Sequence, residues 1–209
     1  MKKIAKALLG LVLVMSSVQL MAGPRVVFVG DSITRLWTSN SQATFFDKNN
    51  FVRVGSDGKT TRNLLEVFDK DVVGQSPKVV LIGLGTNDIA RNEDTFVTAE
   101  QVAANIILMA EKAKAAGIKV VLTTTMPSEG YWFCDYDVKP ANIVPRLNNL
   151  LEEYAATHDC GWVDYYSMFA TESGRFNDRW SYDDCHPRPG TYALMEELVM
   201  TVLEPMLNE

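Results

Sequence analysis

The fold is decided by the stretch Val26–Ser32, which reads Val-Val-Phe-Val-Gly-Asp-Ser and runs from four apolar residues straight into polar ones. β-Branched and aromatic residues favour strands, and a continuous apolar run is typical of a parallel strand that is buried on both faces. The first predicted strand therefore covers residues 25–30. Comparable runs predict four more strands, at 51–54, 78–83, 118–124 and 162–164.

Helical patterns lie between the later strands. In residues 99–116, 142–158 and 191–206, apolar side chains recur every three or four positions, which is the spacing of an amphipathic helix. Strands that alternate with helices predict the α/β class, here a three-layer α/β/α sandwich around a five-stranded parallel sheet. The 209 residues suit one such domain. Sites in sheets of this kind form at the carboxyl ends of the strands.

The first 22 residues have the layout of a secretory signal peptide. Lysines at positions 2, 3 and 6 precede an apolar run over residues 7–15, and the small pair Ala22-Gly23 follows. The alternative is a membrane anchor, but the apolar run is shorter than the roughly 20 residues that span a bilayer. We therefore expect a signal peptide over 1–22, a folded domain over 23–209, no stable membrane insertion after cleavage, and a periplasmic or secreted protein.

Composition narrows the range of partners. The chain carries 20 basic and 26 acidic residues, and removing the three leader lysines leaves 17 against 26, a net charge of about −9. An acidic protein repels phosphate backbones, so no nucleic-acid partner is expected. The three cysteines and two histidines have no metal-site spacing, so no metal is expected either. In an oxidising compartment the cysteines suggest one disulfide and one thiol.

Four polar clusters stand where such a sheet would place a site, and each also has an ordinary structural interpretation. Ser32 follows the first strand and can be a helix N-cap. A loop with Gly55 and Gly58 follows the second strand and can be a tight turn. Asn87 follows the third strand and can form a turn. The last cluster, Asp183–Pro187, contains a histidine, and a lone histidine is often structural.

Taken together, the clusters supply the parts of a nucleophilic site. Asp183 precedes His186 by three residues, so it can accept from one ring nitrogen while the other nitrogen takes the proton of Ser32. The glycine loop and the asparagine offer N–H donors for an oxyanion. The second histidine, His158, stands at the end of a predicted helix and is interpreted as a helix-end residue.

These clusters resemble the motifs of the SGNH (GDSL-type) hydrolase superfamily over about residues 25–205. The matching segments are Gly30–Ser32, the loop containing Gly58, Gly85–Asp88 and Asp183–Pro187. The resemblance implies a flavodoxin-like SGNH hydrolase fold and a reaction without a cofactor. It also implies a catalytic triad of Ser32, His186 and Asp183, with an oxyanion hole formed by the backbone N–H groups of Ser32 and Gly58 and the side chain of Asn87. Gly55 is expected to shape the turn instead.

Two details of the motifs leave alternatives open. Ile33 stands where the founding motif has leucine, a variant that leaves the chemistry unchanged. Asp184 lies beside Asp183, so the orienting acid could be either residue, although spacing and resemblance favour Asp183. Asp31 is expected to brace the nucleophile turn.

A long aromatic loop, residues 126–140, follows the fourth strand and is expected at the same edge of the sheet as the site. Tyr131 and Trp132, together with Trp37, are candidate substrate contacts; the alternatives are a hydrophobic plug for the loop and packing against the sheet for Trp37. A disulfide between Cys134 and Cys185 would tether this loop to the catalytic segment, and we state it as a hypothesis.

The function expected from the resemblance is that of a secreted serine esterase, a carboxylic ester hydrolase acting on short acyl groups. The chain resembles the branch that includes platelet-activating-factor acetylhydrolase-like proteins and carbohydrate acetylesterases, so acetyl esters on a carbohydrate are the leading expectation. The partner would then be a small-molecule or glycan ester. A lysophospholipase or thioesterase activity is an alternative, and a non-catalytic glycan-binding protein on the same fold is another.

Overall fold

A computed structural model describes residues 23–40, 44–92, 96–134 and 138–208. The predicted signal peptide, residues 1–22, lies outside the described residues, so that boundary stays a prediction.

Five parallel strands form one sheet. They are β1 (Val26–Gly30), β2 (Phe51–Val54), β3 (Val79–Gly83), β4 (Lys119–Thr123) and β5 (Gly161–Val163). Their spatial order is β2-β1-β3-β4-β5, and neighbours pair in parallel register, with Val27 of β1 between Val52 and Val80. This confirms the predicted five-stranded parallel sheet. The strand order changes direction between β1 and β3, and the crevice at such a switch point is where sites form.

Helices cover both faces of the sheet. In chain order they are α1 (Ser32–Asn40), α2 (Thr44–Asn49), α3 (Thr61–Asp71), α4 (Thr86–Ile89), α5 (Ala99–Ala115), α6 (Pro140–Thr157), α7 (Tyr165–Phe169) and α8 (Thr191–Asn208). Of the helices within the described residues, none combines the length and apolarity that crossing a membrane requires.

The two faces of the sheet belong to two separate cores, because successive strand residues point to opposite sides. Val27 and Val29 of β1 pack with α3, α5 and α6. Val26 and Phe28 pack with α1, α2, α7 and α8. All four side chains are fully buried. The structure thus confirms the three-layer α/β/α architecture and places the start of α1 at the carboxyl end of a central strand.

Candidate active site

Ser32 is the first residue of α1, directly after β1 and Asp31. The Asp31 Oδ1 atom accepts from the backbone N–H of Ile33 at 2.9 Å, which caps the helix. On the other side, the hydroxyl of Tyr192 donates to the carbonyl oxygen of Ile33 at 3.1 Å. These contacts fix the turn that presents Ser32 at the switch point of the sheet.

The loop before α8 brings a histidine and an aspartate to Ser32. The Oγ of Ser32 lies 2.9 Å from Nε2 of His186, although 154 positions separate them in the chain. The Nδ1 of His186 lies 2.7 Å from Oδ2 of Asp183. The Oδ1 of Asp183 accepts from the backbone N–H groups of His186, at 2.6 Å, and Cys185, at 3.1 Å. A proton can therefore pass from the serine to an imidazole that the carboxylate orients.

The charge state of Asp183 follows from its surroundings. Burial raises its pKa, but the hydrogen bonds from the backbone and ring of His186, together with the charge of that ring, outweigh burial and hold the pKa below its ordinary value. The carboxylate is therefore ionised at neutral pH, as an acceptor for the imidazole must be.

Asp184 has a different set of partners from Asp183. Its Oδ2 accepts from the backbone N–H groups of Glu129, at 2.8 Å, and Gly130, at 3.3 Å. Its Oδ1 accepts from the backbone N–H of Phe176 at 2.8 Å. Of the two adjacent aspartates, Asp183 therefore contacts the histidine, whereas Asp184 fastens the aromatic loop to the catalytic loop.

The structure corrects the predicted disulfide. All three cysteines lie in the described part of the chain, and no disulfide joins Cys134 to Cys185. The Sγ of Cys134 donates to the carbonyl oxygen of Ala90 instead, while Cys185 is buried in the core. Burial raises the pKa of the Cys185 thiol well above its usual range. The tether that the disulfide was expected to provide is formed by the Asp184 carboxylate.

The candidate oxyanion donors line one open cleft of about 420 Å³ together with the catalytic side chains. Within the described residues, the backbone N–H groups of Ser32 and Gly58 donate to no protein acceptor. Gly58 has a φ of +70° and Gly55 a φ of +123°. A Cβ on Gly55 would lie 1.7 Å from the carbonyl oxygen of Gly30, so Gly55 packs against β1 while Gly58 faces the cleft.

Asn87 lies in the first turn of α4 and is almost fully buried. Its Nδ2 donates to the carbonyl oxygen of Lys59 at 3.0 Å and approaches Oδ2 of Asp31 at 3.4 Å. Burial raises the pKa of Asp31 to about 6. Next to Asn87, Asp88 accepts from the backbone N–H of Thr61 at 2.9 Å and so joins the glycine loop to α4.

A comparison of the sequence with known families agrees with this geometry. The model of the GDSL-like lipase/acylhydrolase family matches residues 28–194. The chain belongs to this family. Membership implies an enzyme that hydrolyses esters.

Two solved structures are similar over most of both chains. One is a protein assigned as an acylhydrolase from Bacteroides fragilis NCTC 9343, with 35% identity, a TM-score of 0.82 and 88% of each chain covered. The other is a GDSL-like lipase from Bacteroides thetaiotaomicron VPI-5482, with 33% identity, a TM-score of 0.80, and 87% of this chain and 88% of the other covered.

Two further matches are weaker, one in sequence identity and the other in the length of chain that it covers. An acetyl xylan esterase is 17% identical with a TM-score of 0.65, covering 84% of this chain and 98% of the other, which is a likeness of fold alone. An uncharacterised lipoprotein of Bacillus subtilis strain 168 is 32% identical over 78 residues, or 36% of this chain. That match spans 32% of the lipoprotein, about a third of its length.

The aromatic residues of this GDSL-type chain divide between cleft and core. Trp132 lines the cleft with Phe133, its side chain is 73% exposed, and its Nε1 donates to Oδ2 of Asp183 at 3.2 Å. Trp37 is 2% exposed, packs in the core against Phe28 and donates from Nε1 to Glu196. Tyr131 is likewise buried. The prediction of substrate contact is therefore wrong for Trp37 and Tyr131, because an irregular loop or a short helix has no periodicity that separates core from cleft positions.

Several cleft residues of this GDSL-type site were not predicted. Arg35, one helical turn after Ser32, forms an ion pair with Asp57 of the glycine loop. The ring of Tyr182 stacks on that of His186, with centroids 6.0 Å apart. Asn92 also lines the cleft. The only signal in the sequence was that Arg35 and Tyr182 lie close in the chain to predicted catalytic residues.

The described histidine, cysteine and acidic side chains form no cluster of the kind that binds a metal. In the residues that the structure describes, no group of three or more histidine, cysteine, aspartate or glutamate side chains is arranged to hold a metal ion. The second histidine, His158, ends α6 and stacks on Tyr154 with ring centroids 4.1 Å apart.

Proposed function

We propose that the protein is an exported serine esterase that removes short acyl groups, chiefly acetyl, from carbohydrate. The observation that carries the proposal is the continuous hydrogen-bonded chain from Ser32 through His186 to Asp183, with contacts of 2.9 and 2.7 Å. Such a chain activates a hydroxyl nucleophile.

In the proposed reaction, the Oγ of Ser32 attacks the acyl carbonyl carbon while Nε2 of His186 takes its proton. The tetrahedral oxyanion accepts from the backbone N–H groups of Ser32 and Gly58 and from Asn87. His186 then gives the proton to the leaving alcohol. Water attacks the acyl-enzyme, His186 acts again as base, and the acid is released. One oxyanion donor is typically worth about 2.7–4 kcal/mol of transition-state stabilisation.

A carbohydrate substrate is supported by the walls of the cleft. The exposed ring of Trp132 offers an apolar face, and the Arg35–Asp57 pair offers charged groups that can form hydrogen bonds with the hydroxyls of a sugar. Aromatic faces with nearby polar groups suit sugar rings, which have both apolar C–H faces and hydroxyl edges. The shared fold of an acetyl xylan esterase is consistent with this proposal.

A lipid or thioester substrate is the second candidate. It is supported by Leu36 and Phe133, which add apolar surface to the same cleft, and by the similarity to a GDSL-like lipase. Chain-length preference separates the two candidates, because a longer acyl chain buries more apolar surface only if the cleft can take it.

The proposed location is extracytoplasmic. The basic start and apolar run within residues 1–22 support export. If the leader is cleaved, the amino-terminal sequence of protein recovered from the periplasm or medium should begin close to Gly23. Protein retained in the cytoplasm with Met1 intact would contradict export.

Hydrolysis of p-nitrophenyl esters tests the activity. We expect the wild type to cleave the acetate faster than the octanoate, and Ser32→Ala to lower kcat at least about a thousandfold. Faster cleavage of the octanoate would favour the lipid candidate. Equal activity of the two proteins would refute the serine mechanism, and glycan binding without hydrolysis would indicate a binding protein. Release of acetate from acetylated xylooligosaccharides would then test the substrate class.

A further inference from the structure

A second asparagine contacts the candidate oxyanion donors. Asn92 lies five residues after Asn87, and both line the cleft with Gly58. The Nδ2 of Asn92 donates to Oδ1 of Asn87 at 2.7 Å and reaches the carbonyl oxygen of Gly58 at 3.4 Å. Because the first contact is much shorter, Asn87 is the main partner of Asn92.

The backbone turns sharply at the residue before Asn92. Arg91 has a φ of +59°, in the left-handed region that non-glycine residues rarely adopt. The turn lets the backbone N–H of Asn92 donate to the carbonyl oxygen of Asn87 at 3.1 Å. Asn92 is thus joined to Asn87 twice, although its own side chain is exposed and adds little to the core.

The contact matters because a side-chain amide has two different ends. Of the two N–H groups on Nδ2 of Asn87, one donates to the carbonyl oxygen of Lys59 at 3.0 Å, whereas the other makes only a long contact of 3.4 Å with the carboxylate of Asp31 and is the one left to donate to an oxyanion. The Oδ1 end of Asn87 faces a donor, Nδ2 of Asn92. All three neighbours favour the same orientation, and a donor on the amide oxygen polarises the amide so that its N–H groups become stronger donors.

We propose that Asn92 is a positioning residue for the oxyanion hole, which holds the amide of Asn87 in the orientation that presents N–H to the oxyanion. Asn92 does not itself contact the reacting atoms in this scheme. The inference rests on the proposed function, since it assumes that Asn87 stabilises an oxyanion formed at Ser32.

A double-mutant cycle on p-nitrophenyl acetate hydrolysis tests it. We expect Asn92→Ala to lower kcat about tenfold, because the loss of one hydrogen bond weakens transition-state stabilisation by roughly that factor. KM should change less than about twofold. Asn92→Asp should lose at least as much, because a carboxylate cannot donate to Oδ1 of Asn87. In an Asn87→Ala background, Asn92→Ala should change kcat less than about twofold, since its partner is gone.

The matched control is Asn149→Ala, an exposed asparagine of α6 that should keep full activity. Thermal melting of each variant checks that the fold is intact.

An unchanged kcat in Asn92→Ala would overturn the inference, and so would an equal loss with and without Asn87, since either result excludes action through that amide. If Ser32→Ala stays active or Asn87→Ala keeps its kcat, the proposed function fails and the inference with it. If both of these variants are impaired while Asn92→Ala is normal, the inference alone fails.

Discussion

Asp183 and Asp184 are adjacent carboxylates with separate tasks, and the backbone keeps them apart. Asp184 has a φ of +61°, in the left-handed region that aspartate tolerates better than most residues. Its carboxylate accepts from the aromatic loop, whereas that of Asp183 accepts from His186. The spacing of three residues to the histidine could be read from the sequence, but the tethering role of Asp184 could not, because its partners are backbone N–H groups of a distant loop.

The two aspartates give a paired prediction. Asp183→Asn should lower kcat about a thousandfold, since an amide can stabilise neither the imidazolium nor the required tautomer. Asp184→Asn should lower kcat less than about tenfold but reduce the free energy of unfolding by about 1–3 kcal/mol, because three backbone N–H groups lose a charged acceptor. Ester hydrolysis and urea unfolding measure both. Equal losses of kcat would show that Asp184 shares the orienting role.

Asp31 makes stability depend on pH. Burial raises its pKa from 3.8 to about 6, so the folded protein keeps a proton between these values that the unfolded chain has lost. The stability linked to this proton is present below pH 4 and is lost as pH rises through 6, by roughly 3 kcal/mol. Relative to wild type, Asp31→Asn should therefore gain about this much free energy of unfolding between pH 4 and pH 7. A difference that stays constant over this range would contradict the assignment.

At the scale of elements, the five strands and the helices α5, α6 and α8 were predicted to within two residues, whereas no bounds were predicted for the other helices, which include the eleven-residue α3. The run at 51–54 is β2, and the pattern at 191–206 is α8, which extends to Asn208. Their signals are strong because a buried strand or a long amphipathic helix repeats its apolar positions. Short helices such as α4, with four residues, complete barely one turn and show no period. The cleft is built mostly from those short helices and loops, so its aromatic lining could not be derived from the pattern.

The loop between β2 and α3 contains Gly55, whose close approach to β1 leaves no room for a side chain. Gly55→Ala should lower the free energy of unfolding by about 3 kcal/mol or more, because the new methyl group would collide with the carbonyl oxygen of Gly30 and the φ of +123° is unfavourable for alanine. Gly130→Ala is the control, since no described atom beyond its neighbours lies within 4 Å of a Cβ placed there. Chemical denaturation measures both. Equal stability of the two variants would show that the loop can move away from β1.

At the scale of the whole molecule, the sheet separates two cores that share little except the strands. Ile106 of α5 is buried on one face and Val199 of α8 on the other. Ile106→Val should cost about 0.5–1.5 kcal/mol, and Val199→Ala about 1–3 kcal/mol, of unfolding free energy. Because the two side chains lie in separate cores on opposite faces of the sheet, the double variant should lose the sum within about 0.5 kcal/mol. A larger deviation in urea unfolding would reveal coupling through the sheet.

The catalytic serine and its histidine are synthesised at very different times, because they lie far apart in the chain. The ribosome makes the nucleophile turn among the first residues of the domain, and the base is added 154 positions later. The loop that carries His186 is held by residues that are also made late, since Oγ of Ser181 donates to the carbonyl oxygen of His186 and Oγ1 of Thr191 donates to that of Trp180. A nascent chain therefore exposes its serine for most of translation without a partner to activate it. The proposed esterase would stay inactive inside the cell that makes it until nearly the whole chain has been made and has folded.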